Sequence, residues 1–319
     1  MGWELPFSPV LSAAHGPLMV SGFLGVLIPL ERAVAIRQKW MFAVPAAAGL
    51  GWIALLVAPV IGGILLTLAS LGGLMILGVM VRREPHPHTR TMFAGALAWL
   101  AGNALWLAGF PTFQVVYLWM AFLVLTIAGE RLELSRVLRP AAGSLRLFGV
   151  IAAALLAGAV LCLFELDPGA RFSGLSMLAL SLWFLKNDLA TRNIRHSNPL
   201  TRYIAVCLFA GFIWLGLGGV LLLYFGALYA GPLYDAALHA VFVGFVISMI
   251  FGHAPITYHP AFYIHLVVLH ASLLLRLAAD LMGQPDLRRW GGLLNVVAIL
   301  LFLGITVYSI LSTRSRDRE

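Results

Sequence analysis

Long apolar segments, separated by short polar ones, run the whole length of the chain. About eleven of them are close to 20 residues long, the length an α-helix needs to cross a bilayer. Transmembrane β-strands are half as long and alternate apolar with polar residues, a pattern these segments lack. The predicted spans are 8–30, 40–60, 62–82, 91–109, 112–129, 145–164, 171–187, 202–226, 233–253, 260–281 and 290–311. The pattern therefore predicts an all-α polytopic transmembrane helical bundle, a single domain over residues 1–319.

The number of spans depends on where neighbouring segments are divided. The second and third predicted spans lie so close together that they could be misjoined, which gives a range of ten to twelve. Composition supports the membrane assignment, because 61% of residues are hydrophobic, 11% are charged and the mean hydropathy is +0.95. Soluble domains carry about 25% charged residues. Little of the chain is therefore expected outside the lipid bilayer.

Lysine and arginine residues fall mainly after the odd-numbered spans, which sets the orientation through the positive-inside rule. The regular positions are Arg32, Arg37, Lys39, Arg82, Arg83, Arg90, Arg131, Arg136, Arg139, Arg146, Lys186, Arg192, Arg195, Arg202, Arg314, Arg316 and Arg318. The exceptions are Arg171, Arg288 and Arg289. This alternation predicts an outside N-terminus and an inside C-terminus. The net charge of +8 is scattered over short loops and does not indicate a nucleic-acid partner.

A weak internal repeat relates the first, fifth and ninth spans. FLGVLIPLERAVAIR (23–37) aligns with FLVLTIAGERLELSR (122–136), and GFVISMIFGHA (244–254) aligns with the first of these regions. A unit of four helices repeated three times would explain the similarity, and internal repeats are common in membrane proteins. The alternative is chance similarity among apolar segments.

Several polar residues in or beside the spans favour structural roles. The Glu31–Arg32 and Glu130–Arg131 pairs mark inner helix ends and indicate ion pairs or clamps between helices. Asn103 and Asn295 are isolated amides, which are expected to bond across helices. Pro255 and Pro260 limit helical backbone after the ninth span and predict a fixed bend. Cys162 and Cys207 both fall in apolar segments, which excludes a disulfide framework and a cysteine-rich metal site.

Histidines inside the apolar segments are the main candidates for function, since ionisable groups in a membrane are costly. The stretch 239–270 holds five of the nine histidines. His15 and His239 each lie about 10 Å inside the predicted outer boundary and precede a small residue. Paired neutral imidazoles are typical of haem axial ligands or of part of a copper site. The alternative is that each ring bonds a neighbouring helix.

Three further candidate histidines follow His239 along the chain. His253 lies 14 residues after His239, which on a regular α-helix is about 40° short of four full turns. His265 and His270 diverge by about 140°, so they cannot both face one site. His270 is nearer mid-membrane and is the better candidate, while His265 could face His253. Arg276 could pair with a haem propionate or with Asp280 one turn later.

Two site geometries follow from these positions. In the first, His15, His239 and His270 line one outer-half cavity that holds a haem, with copper as a second metal. In the second, His239 and His253 each ligate a separate haem, stacked across the bilayer. The second needs opposing histidines at two depths, but the residue 14 positions after His15 is Pro29. We therefore favour the first geometry.

The stretches His15–Arg32 and His239–Pro260 resemble the NnrS-type haem–copper membrane proteins. Their His-Gly, Gly-Phe-Leu-Gly, Met-Ile and Gly-His-Ala-Pro runs carry the resemblance, which covers roughly 45 residues. It implies a multi-pass protein of the bacterial inner (cytoplasmic) membrane linked to denitrification or nitric oxide stress. It also implies b-type haem, with copper as an additional metal, and His15, His239 and His253 as metal-ligand candidates.

The proposed three-by-four repeat is also similar to the catalytic subunits of haem–copper oxidases. The chain departs from them because eleven spans do not complete twelve and adjacent histidines for an oxidase copper pair are lacking. Oxygen reduction coupled to proton pumping is therefore not expected.

The first functional hypothesis is a membrane protein that binds haem, with copper as an additional metal, and that processes or senses nitric oxide or another diatomic gas. If it is an enzyme, it would be a haem-dependent membrane oxidoreductase, with an electron donor or a second copy as partner. The alternative is a transporter of a metal ion or small solute that uses intramembrane histidines. The glycine-rich segment Leu215–Gly219 would then allow bending or close helix contact. A third hypothesis is an assembly or electron-transfer subunit without its own reaction.

Overall fold

The computed structural model describes residues 14–253 and 258–316, and these are almost entirely helical, with no strand among them. The helices are α1 (Ala14–Ile36), α2 (Lys39–Val57), α3 (Pro59–Arg83), α4 (Pro87–Leu107), α5 (Thr112–Leu138), α6 (Ala142–Leu161), α7 (Leu166–Asn187), α8 (Leu189–Asn193), α9 (Pro199–Phe225), α10 (Pro232–His253), α11 (Phe262–Met282) and α12 (Pro285–Arg316). The all-α prediction is confirmed. The predicted start of the first span at residue 8 and the bend at Pro255 lie outside the described residues.

Nine helices in the described ranges are long and apolar enough to cross a membrane. The two long helices that fall short are α4 and α7, which hold 21 and 22 residues. Both coincide with predicted spans, but polar residues such as Arg90, Asn103 and Arg171 lower their hydropathy. The second and third spans are separate helices, because the chain turns at Ala58 and α3 begins with Pro59. The chain is thus a helical membrane protein by length and composition.

The chain divides into two compact units. Among the described residues, the first holds 14–133 and 152–173, and the second holds 134–151, 174–253 and 258–316. The predicted histidines are distributed over both units, with His15 in the first and the other four candidates in the second.

The first unit is organised around a buried hydrogen-bond network at Asn103. Its side-chain oxygen accepts from the Ser21 hydroxyl at 2.7 Å and from the Trp119 indole at 3.0 Å. Its amide nitrogen donates to the Leu66 carbonyl at 3.0 Å, and Trp99 donates to Ser21. One amide therefore joins α1, α3, α4 and α5, which confirms that Asn103 bonds across helices.

Replacing Asn103 with leucine, which has nearly the same volume, should lower the stability of the protein. The change leaves a buried indole N–H, a hydroxyl and a carbonyl without their partner, and each such group costs about 1–3 kcal/mol. We expect a clear fall in the thermal unfolding midpoint in detergent. Asn193→Leu, in the short helix α8, is the control and should leave the midpoint unchanged. Equal midpoints for the two variants would contradict a structural role for the network.

An ion pair also joins α1 to α5 within the first unit. The Arg32 guanidinium bonds the Glu130 carboxylate, and both side chains are largely buried. These residues belong to the two Glu-Arg pairs of the sequence. The interpretation of those pairs as clamps between helices is confirmed for this contact.

Two helices contain π-helical segments, a feature the sequence did not predict. The first is Leu18–Leu24 in α1 and the second is Ala240–Ile247 in α10. Each contains a Gly-Phe pair, and each glycine packs against a tryptophan, Gly22 on Trp52 and Gly244 on Trp214. A π-turn holds about one more residue than an α-turn, so it rotates the following helix by about 100°.

This rotation changes the geometry expected for the 14-residue spacings. The expectation that His239 and His253 share a face assumed a regular α-helix, and the π-helical segment lies between them. The same holds for His15 and Pro29 in α1. The argument for two stacked haems therefore loses its geometric basis in this chain.

Within the second unit, α7 and α9 approach closely at two glycines. A Cβ atom on Gly219 would lie 2.6 Å from the Gly174 carbonyl oxygen and 2.7 Å from the Leu178 backbone nitrogen. The contact leaves no room for a side chain. It confirms that the glycine-rich Leu215–Gly219 segment serves close helix contact.

Candidate functional site

A carboxylate in the first turn of α10, Asp235, connects three helices of the second unit. The Arg276 Nε and Nη2 atoms on α11 donate to its Oδ2 at 2.9 and 2.6 Å. Arg288 on α12 lies 3.3 Å from the same oxygen. Asp235 is 18% exposed and Arg276 14%, so much of this charge is shielded from solvent. We call Asp235, His239, Arg276, Asp280 and Arg288 the Asp235 cluster.

His239 joins the Asp235 cluster one helical turn after Asp235. Its Nδ1 lies 2.9 Å from the Asp235 carbonyl oxygen and 3.2 Å from the Asp235 Oδ1. Both neighbours are acceptors, so Nδ1 is the nitrogen that carries the proton. In the neutral ring, Nε2 then holds the lone pair. A carboxylate or carbonyl on one nitrogen is the usual arrangement behind a metal-ligating histidine, because it fixes the tautomer and raises the basicity of the other nitrogen.

The formal charges of the two acids and two arginines in the Asp235 cluster balance. Arg288 Nε lies 2.9 Å from Asp280 Oδ1, so Arg288 is shared by Asp280 and Asp235. Arg276 hydrogen-bonds Asp235 on another helix, rather than Asp280 one turn away on its own. A haem propionate at Arg276 would therefore have to compete with Asp235. The geometry gives Arg276 a role in holding Asp235, and the propionate role stays a prediction.

His270 bonds a tryptophan on the neighbouring helix α9. The Trp214 indole N–H donates to His270 Nδ1 at 3.0 Å, and the two ring planes are 14° apart. Because Nδ1 accepts, the proton of the neutral ring lies on Nε2. That Nε2 atom is buried and has no hydrogen-bond partner in the part of the chain the structure describes. In this arrangement His270 presents a donor, not the lone pair that a metal needs.

His270 lies deeper along the helices than His239. Trp214 bonds His270 and rests on Gly244 of α10, which follows His239 by five residues. Five residues of helix span about 7 Å, so the two imidazoles differ in depth by about that distance.

His265 occupies a different environment, an aromatic core near the start of α9. It is fully buried, and its Nε2 lies 2.9 Å from the Tyr203 hydroxyl. Phe251 and Phe302 pack on the ring with centroids 4.6 and 5.2 Å away. His265 and His270 thus contact α9 at residues 203 and 214, which confirms that they do not face one site. The aromatic enclosure favours a packing role for His265.

The other two candidates, His253 and His15, gain no support from the structure, and their roles as metal ligands stay predictions. His253 is exposed at the last residue of α10, and the four residues after it are outside the described ranges. His15 is exposed in the first turn of α1 and belongs to the first unit. The cavity of His15, His239 and His270 stays a prediction. No group of three or more His, Cys, Asp or Glu side chains is placed to hold a metal ion within residues 14–253 and 258–316.

Sequence reasoning missed three residues of this region. The sequence could have identified Asp235, because it precedes His239 by four residues and side chains with that spacing meet on a helix. It could not have identified Trp214 and Tyr203, because their partners lie on another helix 56 and 62 residues away in sequence.

The comparisons with known proteins identify a family without an assigned activity. The model of a domain of unknown function, DUF8744, matches residues 1–311, so the chain belongs to that family. No curated protein and no solved structure matches the chain.

Proposed function

We propose that this member of the DUF8744 family is a haem-binding integral membrane protein in which His239 ligates the iron. The observation that carries the proposal is the pair of oxygen acceptors on His239 Nδ1, which places the lone pair of the neutral ring on Nε2, the nitrogen that would ligate the iron. The ligand of the haem would be nitric oxide or another diatomic gas, in line with the resemblance to the NnrS-type proteins.

Within this proposal, a single fixed imidazole favours haem over a copper ion. Haem iron is held by one or two axial side chains in an apolar pocket, whereas a copper site needs about three nitrogen or sulfur ligands. The Asp235 cluster supplies one imidazole with a fixed tautomer, that of His239. No group of three metal-ligating side chains is found in the described ranges. When bound, a b-type haem would supply reversible binding of a diatomic gas and one-electron chemistry. Copper remains an additional proposal.

The residues of the Asp235 cluster would act by holding one imidazole in place. Asp235 would hold the Nδ1 proton on His239, and Arg276 and Arg288 would hold the Asp235 carboxylate in position. Turnover would make the protein a membrane oxidoreductase that needs an electron donor.

The finer architecture belongs to the same proposal. We infer eleven spans, an outside N-terminus and an inside C-terminus in a bacterial inner membrane. The eleven long helices among the described residues and the distribution of lysine and arginine support this topology. A threefold repeat of four helices is supported by the matching π-helical segments of α1 and α10, each with a glycine against a tryptophan.

An optical spectrum of the detergent-purified protein tests the haem proposal. We expect a Soret band that shifts on reduction with dithionite, and a loss of haem of about tenfold or more in His239→Ala. His259→Ala, an exposed histidine near the inner end of α11, is the matched control and should keep the band. His15→Ala tests the three-histidine cavity in the same way. A colourless protein from cells with ample haem would contradict the proposal.

A transporter is the second candidate, and the Asp235 cluster is the observation that favours it. Ionisable groups inside transmembrane helices often serve proton relays, and Asp235, His239 and Arg276 form a connected set. A colourless protein that takes up a metal ion or small solute in a proton-dependent manner would establish this alternative.

A further inference from the structure

The chemistry of His270 differs from that of His239, although both are candidate metal ligands by sequence. We propose that the His270 Nε2–H group donates a hydrogen bond to a small acceptor ligand in the outer half of the membrane. The inference rests on the proposed function, in which that ligand is the diatomic molecule bound at the iron of the His239 haem. His270 would then be a residue that stabilises the bound gas and not a second ligand to the iron.

The tautomer of His270 follows from its partner on α9. An indole nitrogen is a donor only, so the 3.0 Å contact from Trp214 requires a lone pair on His270 Nδ1. The other neutral tautomer would place two N–H groups against each other. The proton of the neutral imidazole is therefore held on Nε2, the nitrogen that points away from Trp214.

The position of Trp214 is itself fixed by the π-helical segment of α10. A Cβ atom on Gly244 would lie 2.5 Å from Trp214 Cγ, so the indole rests directly on the glycine backbone. Trp214 is 5% exposed and has little room to rotate. Wide helical turns of this kind occur often at functional sites. Here the wide turn positions Trp214, whose indole determines which nitrogen of His270 carries the proton.

The class of ligand follows from the donor. The Nε2–H is buried and no acceptor for it lies in the described ranges, a costly state for a polar group that a bound acceptor would relieve. A metal cation at this nitrogen is excluded, because it would face a proton. An atom with a lone pair fits, and a diatomic gas on a nearby iron offers one. His270 lies about 7 Å deeper than His239, a separation that leaves room for an iron and its ligand between the two imidazoles.

The carbon monoxide complex of the reduced protein provides the first test. A donor lowers the C–O stretching frequency, so we expect a higher frequency in His270→Leu, with carbon monoxide released about 3- to 10-fold faster. His270→Gln, which keeps an N–H donor, should restore part of both effects. The Soret band should persist in both variants, because His239 holds the haem. Equal frequencies in wild type and His270→Leu, with haem present, would overturn the inference but leave the haem proposal standing.

Loss of the haem in His270→Leu would overturn the inference in a different way, since it would make His270 a ligand.

Trp214→Phe provides the complementary variant. Without the indole donor, Nδ1 can take the proton and Nε2 can bind iron, so the spectrum should shift toward a low-spin, six-coordinate form. An unchanged spectrum in Trp214→Phe would count against the tautomer argument.

Nitrogen-15 NMR of histidine-labelled protein reads the tautomer without any haem. The signal that disappears in His270→Gln should show a protonated Nε2 and an unprotonated Nδ1, and Trp214→Phe should change it. A protonated Nδ1 in the wild type would overturn the inference whatever the optical result. A protein without haem would overturn the assignment of the gas ligand, together with the proposed function.

Discussion

Replacing Asp235 with asparagine should destabilise the protein by about 3 kcal/mol and weaken haem binding by about 10- to 100-fold. The change removes the anion shared by Arg276 and Arg288, and breaking a buried ion pair leaves a cation without compensation. The loss should fall at the low end of the usual range, because Arg288 is 35% exposed. The weaker haem binding follows from the loss of the carboxylate on His239.

Chemical unfolding in detergent measures the first effect, and haem transfer to an apo-acceptor protein measures the second. Asp286→Asn is the control, since Asp286 is 83% exposed and pairs only at the surface with Arg289. Surface pairs of this kind contribute about 0–1 kcal/mol. If the two aspartate variants unfold at the same denaturant concentration, Asp235 does not organise the three helices. If stability falls while haem binding is unchanged, Asp235 is structural only.

Replacing Gly219 with valine should prevent the second unit from packing and leave little folded protein in the membrane. The added side chain would meet backbone atoms of α7 at Gly174 and Leu178, which cannot move aside as a flexible side chain can. Overpacking typically costs about 1–3 kcal/mol and more where backbones collide. The yield of monodisperse protein after solubilisation is the measurement.

Gly149→Val provides the matched control for Gly219→Val. Gly149 is also helical and lies in the second unit, but nothing stands within 4 Å of an added Cβ atom. Its yield should equal that of the wild type. If Gly219→Val accumulates equally well, α7 and α9 do not depend on this close approach.

The positions of the helices were predictable because bilayer thickness fixes the length of a spanning segment. The observed α9 (Pro199–Phe225) and α11 (Phe262–Met282) match their predicted ranges to within a few residues. The π-helical segments were not predictable, because a run such as AVFVGFVI is apolar all round and carries no periodic signal. The wide turns occur where the helices make tertiary contacts, in which Trp52 and Trp214 pack against glycines.

The site was predictable in its residue types but not in its pairings. His239 and His270 stood out because histidine is costly in a membrane, and local spacing could have added Asp235. Arg276 has a carboxylate one turn away in Asp280, yet it bonds one on α10. Only the packing of α9, α10 and α11 decides which nitrogen of each imidazole carries a proton.

The π-helical segments also bear on how this family can change. A wide turn is what remains when one residue has been inserted into a helix and absorbed without breaking it. A relative that lacked the extra residue in α10 would keep Asp235 and His239 in place but would present His253 turned by about 100°. A relative with one residue deleted within α1 or α10 would then have the side chains of the inner half of that helix rotated, while those of the outer half would keep their directions.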